Sequence, residues 1–323
     1  MLVQAKTYME LGEYYFDYVA NVLINSSWKN LTDTCTISLP KMVVHRPTDQ
    51  SPKKAIDILK RGDHALVKFG YDDNLVEKFS GYIVGVEPGM PMVFKLEDEM
   101  FKFKEISVEP KVFKDGTSVA DVLKYLGFKE SDYSILGDIN IIGSMVFRED
   151  ITNVAMALKK LKDTIGLPVF FRNKKLNIGD PYKAKNPTIH YLAFGHNIVS
   201  HKLEWKDKAE VKIKVQAISM YKDGTQKKVE VGDSNGEVHT LHFPEMTEAD
   251  LKKIAEANIE KLKWTGWRGK LTLFAEPAVE FGDIVSLTDY DNEIEGKYYV
   301  DEVESTSGTG GIRQELKLGA KAA

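Results

Sequence analysis

The residues able to do chemistry are scattered, and each group has a structural reading beside the chemical one. In "EVHTLHFPE", His239 and His242 stand three apart. On a helix that spacing would align two metal ligands. The stretch reads as a strand, where positions i and i+3 face opposite ways, and no third ligand follows at zinc-like spacing. His190, His196 and His201 lie in "IHYLAFGHNIVSHKLEW", again strand and turn. "DYDNEIEG", Asp289 to Gly296, opens like a calcium loop, but Ile294 stands where such a loop needs Gly and Val300 where it needs its bidentate Glu. Adjacent acids, Asp72–Asp73 and Glu97–Asp98–Glu99, suggest a glycosidase. That reaction needs two carboxyls facing across a cleft, one of them kept protonated, whereas neighbours on a strand point to opposite faces. Arg61-Gly62-Asp63 has the form of an adhesion tripeptide at a strand entry. Cys35, the single cysteine, reads as a small buried strand residue rather than a nucleophile. The aromatics of "EYYFDY" and "WTGWRG" could stack bases, but Glu13 and Asp17 flank the first set, and packing or subunit contact suits them better. Phosphate-binding, dinucleotide-binding and nucleophile-elbow motifs are missing. No catalytic residue, cofactor or metal is assigned.

The totals are those of an ordinary globular chain, 43% hydrophobic and 28% charged. Its 323 residues suggest two or three domains. A net charge of −4 and a pI near 6.0 give no global pull toward nucleic acid or anionic membranes. One cysteine rules out an internal disulfide framework and fits a reducing compartment. The first residues lack the basic start and compact apolar core of a signal peptide. No run approaches the length of a membrane span, so no membrane anchor is expected.

Strand patterns dominate. "TCTISLP" alternates Cys35, Ile37 and Leu39 against Thr34, Thr36 and Ser38; "AEVKIKVQA" and "GIRQELKLG" alternate in the same way. Period two predicts half-buried antiparallel sheet with one wet face. Three segments predict helices. "TSVADVLKYLG" ends at Gly127. "DITNVAMALKKLKDTIG" has Gly166 as a left-handed cap. "TEADLKKIAEANIEKLKW" starts at Thr247 with Asp250 three residues on. The expected division is a first β domain over 1–112, an α+β insertion over 113–185, and a second β domain over 186–323 with a helix at about 247–264.

One hairpin is written twice. "GDHALVKFGYDDNLVEKFSGYIVGVE" runs from Gly62 to Glu87, and "GDIVSLTDYDNEIEGKYYVDEVE" from Gly282 to Glu304. Each opens on Gly-Asp, alternates, breaks at a polar tip and returns through a Gly and aromatics to Val-Glu. The structural turn positions are Gly62, Asp63 and Gly81 in the first, and Gly282, Asp283 and Gly296 in the second. Gly tolerates the unusual backbone and Asp bonds it locally. The matching turn is Phe281-Gly282-Asp283, so the turn repeats and the adhesion tripeptide does not. An internal duplication has a geometric use: three copies of a doubled chain present six similar domains to a sixfold partner.

"LKRGDHALVKFGY", "LVEKFSGYIVGVEPGMPMVFKLEDEM", "ALKKLKDTIGLPVFFRNKKLNIGDPY", "GWRGKLTLFAEPAVEFGDIVSLTD" and "GKYYVDEVESTSGTGGIRQELKLG" together resemble baseplate hub proteins of phage tails, the late control protein D family, also found in contractile injection systems. The resemblance implies a mainly β (α+β) fold, with two duplicated β-barrel-like tube domains and an α+β insertion between them. It implies a structural virion protein of phage or prophage tails, a homotrimer between a hexameric tail tube protein and a trimeric spike protein. DNA or effector would pass through its lumen without specific binding. The expected location is the virion tail baseplate, assembled in the bacterial cytoplasm. The alternative expectation is a particle-associated cell-wall hydrolase or a carbohydrate-binding module.

Overall fold

A computed structural model describes residues 4–44, 51–114, 116–136, 145–166, 168–172, 174–183, 187–221 and 225–322. Residues 184–186, in the stretch "GDPYKAKNP" that reads as a linker, lie outside the described residues. The chain opens with β1 (Ala5–Leu11), β2 (Tyr14–Phe16), β3 (Asn21–Ser27), β4 (Thr34–Leu39) and a small pair, β5 (Met42–Val43) and β6 (Lys53–Lys54). The one-turn α1 (Ala55–Ile58) leads into β7 (His64–Tyr71), β8 (Asn74–Glu87), β9 (Met92–Glu97) and α2 (Met100–Lys104). The middle holds β10 (Lys111–Phe113), α3 (Val119–Tyr125), β11 (Tyr133–Leu136), β12 (Met145–Phe147), α4 (Val154–Ile165), β13 (Val169–Arg172) and β14 (Lys175–Gly179). Then come β15 (Ile189–Ala193), β16 (Ile198–Lys206), β17 (Ile213–Met220), β18 (Gln226–Gly232), β19 (Glu237–Pro244) and α5 (Glu248–Leu262). The chain closes with β20 (Gly266–Leu273), β21 (Ile284–Asp289), β22 (Ile294–Gly308) and β23 (Gly311–Lys321).

The three expected helices form where local chemistry starts and stops them. Ser118 caps α3 by accepting from the Asp121 N–H at 3.0 Å, and Asp121 reaches back to the Ser118 N–H. Asn153 caps α4, and Gly166 ends it at φ 66°. Thr247 caps α5 by accepting from the Asp250 N–H. Each cap satisfies an N–H that has no partner inside the helix.

The chain divides into two compact units, 1–103 with 187–202 and 269–319, and 104–186 with 203–268 and the last residues. These units cut the chain differently from the three-part division expected from sequence. Residues 203–268, placed there in the second β domain, group with 104–186.

The first unit is built on one long sheet, in the order β16-β20-β23-β22-β3-β4-β9-β8-β7-β1-β2, with β21 joining β15 to β22. Its dry face is made by the alternating residues read from sequence: Cys35, Ile37 and Leu39 pack with Val22, Ile24, Phe94 and Leu96. The second unit contains a parallel pair, β11·β14, extended by β13. It also contains β17 flanked by parallel β19 and antiparallel β18. On that second sheet α5 packs Leu251, Ala255 and Ile259 against Val211, Ile213, Val215 and Ala217.

The long sheet contains the same plan twice. In chain order the first repeat is β1, β3, β4, β7, β8 and β9, and across the sheet it runs β3-β4-β9-β8-β7-β1. The second is β15, β16, β20, β21, β22 and β23, and across the sheet it runs β16-β20-β23-β22-β21-β15. Strand for strand the orders match. They differ at the outermost member, since β1 is antiparallel to β7 while β15 is parallel to β21.

Gly81 is required by close approach: a Cβ there would sit 2.1 Å from the Glu97 carbonyl oxygen. Gly85, on the same strand, has open space around that position. Gly81→Ala should therefore destabilise the fold by about 1–3 kcal/mol, with Gly85→Ala within about 0.5 kcal/mol of the parent. Urea unfolding of the two variants checks this.

Candidate assembly interface

The two Gly-Asp turns have the same bonding. Gly62 (φ 92°) and Gly282 (φ 84°) occupy the left-handed region that favours glycine. Gly62 N–H donates to the Ile83 carbonyl and Ile83 N–H donates back to Asp63, at 2.8 and 3.0 Å. Gly282 and Val300 repeat that exchange, with Asp283 in place of Asp63, at 2.7 and 2.9 Å. The carboxylate of Asp63 accepts from Lys60 N–H, and that of Asp283 from Glu280 N–H. Asp283 also accepts from Thr188 N–H and bonds His190 Nε2 at 3.1 Å, so this buried side chain ties β15 to the turn. Arg61 is absorbed locally, its guanidinium 5.0 Å from the centre of the Phe101 ring.

Those bonds make Ile83 the counterpart of Val300, and Val86-Glu87 the counterparts of Val303-Glu304. They also correct one expected match. Gly81, paired with Ala65, falls opposite Tyr298; Gly296, paired with Leu287, lies earlier on its strand. Both glycines lie inside the return strands, Gly81 in β8 and Gly296 in β22.

Beyond Val300 the second hairpin continues, and this is where the repeats join. Residues 302–308 of β22 pair antiparallel with residues 27–21 of β3. The turn after β3 clasps this seam. Trp28 Nε1 donates to Asp301 Oδ1 at 3.0 Å, Lys29 Nζ lies 2.8 Å from Asp301 Oδ2, and Ser27 Oγ donates to the Asp301 carbonyl. Farther along, Thr7 and Ser307 hydroxyls meet at 2.6 Å. A second link comes from Lys78 on β8, which donates to Gln314 of β23 at 3.0 Å. Gln314 is fully buried and in turn holds the carbonyls of Phe274, Ala275 and Pro277 and the N–H of Val279. Burial pulls the Lys78 ammonium down to about 8, against the opposing pull of Glu280 and Asp283.

Two acids lie just behind the seam. Asp33 accepts from Ser27 N–H at 3.0 Å, and Asp98 accepts from the N–H groups of Asp33 and Met100 at 2.8 and 2.9 Å. Burial, together with the neighbouring Asp98 carboxyl, pushes Asp33 up to about 8. Burial pushes Asp98 up to about 7, opposed by the two N–H groups it accepts from.

The seam has a wet face opposite the core. A groove of about 310 Å³ lies there, lined by Asn25, Thr34, Lys270, Glu302, Glu304 and Lys317 among others. Its charges pair across strands: Lys270 with Glu315, and Lys317 with Glu302. The sheet thus presents hydroxyls, amides and paired charges on one side.

The sequence-level chemical candidates do not assemble. Among the described residues no three His, Cys, Asp or Glu side chains gather as a metal site would need. Asp289 accepts from the Asn292 backbone and side chain within its own hairpin tip. Cys35 is buried in the core. Among the described residues no helix is long and apolar enough to cross a membrane. Asp301, Gln314, Lys78 and Asp33 had no signal of their own in sequence. Their types are common, and their importance comes from burial.

No family model matches the sequence, and no curated protein matches it. Solved structures do match. A tail protein from Neisseria meningitidis MC58 superposes with a TM-score of 0.65 at 16% identity, over 98% of this chain and 96% of that one. This is the fold of phage tail proteins. A 43 kDa tail protein of prophage MuSo2 from Shewanella oneidensis shares it, with a TM-score of 0.63 at 13% identity over 97% of both chains. So does the E. coli c3393 protein, a type VI secretion component described as similar to T4 bacteriophage tail proteins gp27 and gp5. Its TM-score is 0.58 at 8% identity, over 98% of this chain and 77% of that one. The tail-protein fold is mainly β with an α+β part, as the sequence patterns predict.

Two outcomes follow from these bonds. Asp283→Ala removes an acceptor serving three donors in a buried site and should cost about 2–3 kcal/mol. Asp63→Ala, at an exposed turn, should cost about 0.5–1 kcal/mol; denaturant unfolding compares them. Asp33 and Asp98 hold their protons more tightly folded than unfolded, where a carboxyl titrates near 3.9. Their contribution is complete below that value and lost as pH rises through about 7 and 8. Melting temperature should fall between pH 5 and 8.5, and Asp33→Asn should flatten the fall.

Proposed function

We propose that this chain is a structural tail protein, a trimeric hub seated between a hexameric tail tube and a trimeric spike. The observation that carries the reading is the doubled strand plan: two repeats with the same order across the sheet, joined edge to edge by β22·β3. A chain of this kind can satisfy both symmetries. Three copies are threefold by count, and their six repeats approximate a sixfold ring. The two tube-like repeats, interrupted by the 203–268 and 104–186 segments, correspond to the tandem tube domains and insertion that the sequence resemblance implies.

In such a ring the dry face of the sheet faces the body of the particle and the wet face lines the channel. Paired charges and hydroxyls on that face leave DNA or effector little net charge to hold on to. The chain works without catalysis or cofactor, and any wall-degrading activity resides on another protein. It acts in the tail baseplate of a phage, a prophage particle or a related injection system, after assembly in the bacterial cytoplasm. The match to tail proteins over nearly their whole length, and to a secretion component described as similar to gp27 and gp5, supports this setting.

Multi-angle light scattering of the purified chain tests the reading: a trimer is expected at high concentration, and a monomer at every concentration would count against it. Zymography on purified cell wall should show no clearing, and clearing by the pure chain would replace the hub with a hydrolase.

A further inference from the structure

The in-chain joint predicts where the chains meet. In the matched strand orders β22 corresponds to β8, and β3 corresponds to β16. On the edge that faces its hairpin partner, β22 is held by β21 up to Tyr299 and then, from Glu302, by β3. On the equivalent edge β8 is held by β7 up to Tyr82. Beyond it β8 runs on as Val84–Glu87, past a register shift against β9 between Ile83 and Gly85, and no strand among the described residues follows β7 on the first edge.

The complementary strand stands at the opposite end of the sheet. β16 ends the strand order, with β20 beside it. Its counterpart β3 lies between two strands and buries Val22 and Ile24. β16 instead leaves most of its nine residues exposed, including Val199 at 40% and Trp205 at 39%. A long terminal strand with exposed apolar side chains is a template for another chain, and such edges seldom stay open in soluble proteins.

We propose that three copies close through a seam between Val84–Glu87 of β8 in one chain and β16 of the next, repeating the in-chain β22·β3 seam. The inference rests on the trimeric reading and names the surface and its occupant, a second copy of this chain. The in-chain β22·β3 seam is antiparallel, and the new seam repeats that pairing. The new seam is the weaker of the two. Pro88 supplies no N–H to a ladder and ends the run after Glu87, whereas the in-chain seam has seven paired positions. Val84 also stands where Asp301 does, so the clasp by Trp28 and Lys29 has no equivalent between chains. The trimer should therefore dissociate on dilution while each chain stays folded.

The test places p-benzoylphenylalanine at exposed Lys202 of β16 in the full chain, mixes ¹⁴N and ¹⁵N protein, and maps the photo-crosslinks while light scattering reports the oligomer. Crosslinks between isotopically different chains within residues 82–95 are expected. In parallel, Val199→Asp should raise the concentration for half-dissociation about tenfold with an unchanged melting temperature of the monomer. A trimer whose crosslinks fall elsewhere and which tolerates Val199→Asp overturns this seam and leaves the hub reading standing. A chain that stays monomeric at every concentration and gives no crosslinks between chains overturns both.

Discussion

A strand at the end of a sheet carries a row of backbone N–H and C=O groups that must find partners. In this chain that requirement is met inside the molecule once, by the seam between β22 and β3. Everything else in the first unit follows from it. The seam turns two repeats into one sheet, and Ala275 and Ile312 of the second repeat pack into the core of the first. The joint is between unlike edges and does not close on itself, which is what the proposed assembly of three copies requires.

The polar groups that the seam buries are unusual for a core and are each accounted for. Asp301 takes the Trp28 N–H and the Lys29 ammonium. Gln314 takes one donor from β8 and distributes its own N–H groups among three carbonyls. Asp98 accepts from the Asp33 N–H, and the Asp98 carboxyl in turn raises the affinity of Asp33 for its proton. Buried polar networks of this kind discriminate between registers, because a slip of one residue would leave several of these groups without partners. A sheet built from two similar repeats needs that discrimination more than most, since the repeats could otherwise exchange partners.

The two repeats differ in the segments they carry and in the length of their return strands. The second carries β17–β19 and α5 between β16 and β20, at the position where the first has only the turn from Trp28 to Asp33. The first ends its β8 at Pro88, where the second extends β22 to Gly308. In the proposed ring of three chains these differences would recur at every second repeat. They would allow a partner of threefold symmetry to recognise one kind of repeat and a sixfold partner to ignore the difference.

Much of the fold was legible in the residues. The alternation in "TCTISLP" determined which side of β4 is dry, because side chains alternate faces at every residue of a strand. Ser118, Asn153 and Thr247 set the helix starts, because capping is a matter of neighbouring residues alone. The doubled Gly-Asp turn was visible for the same reason: its bonds close within a few residues, apart from the one exchange across the hairpin. The seam was not visible. Glu302 and Ser27 lie far apart in the chain, and neither type favours the other. The grouping of 203–268 with 104–186, the displacement of Gly296 from the register of Gly81, and the roles of Asp33, Asp98 and Gln314 were decided only by tertiary structure. Local pattern determines which groups a strand offers on its faces and edges; which distant strand takes them depends on packing the whole sheet at once.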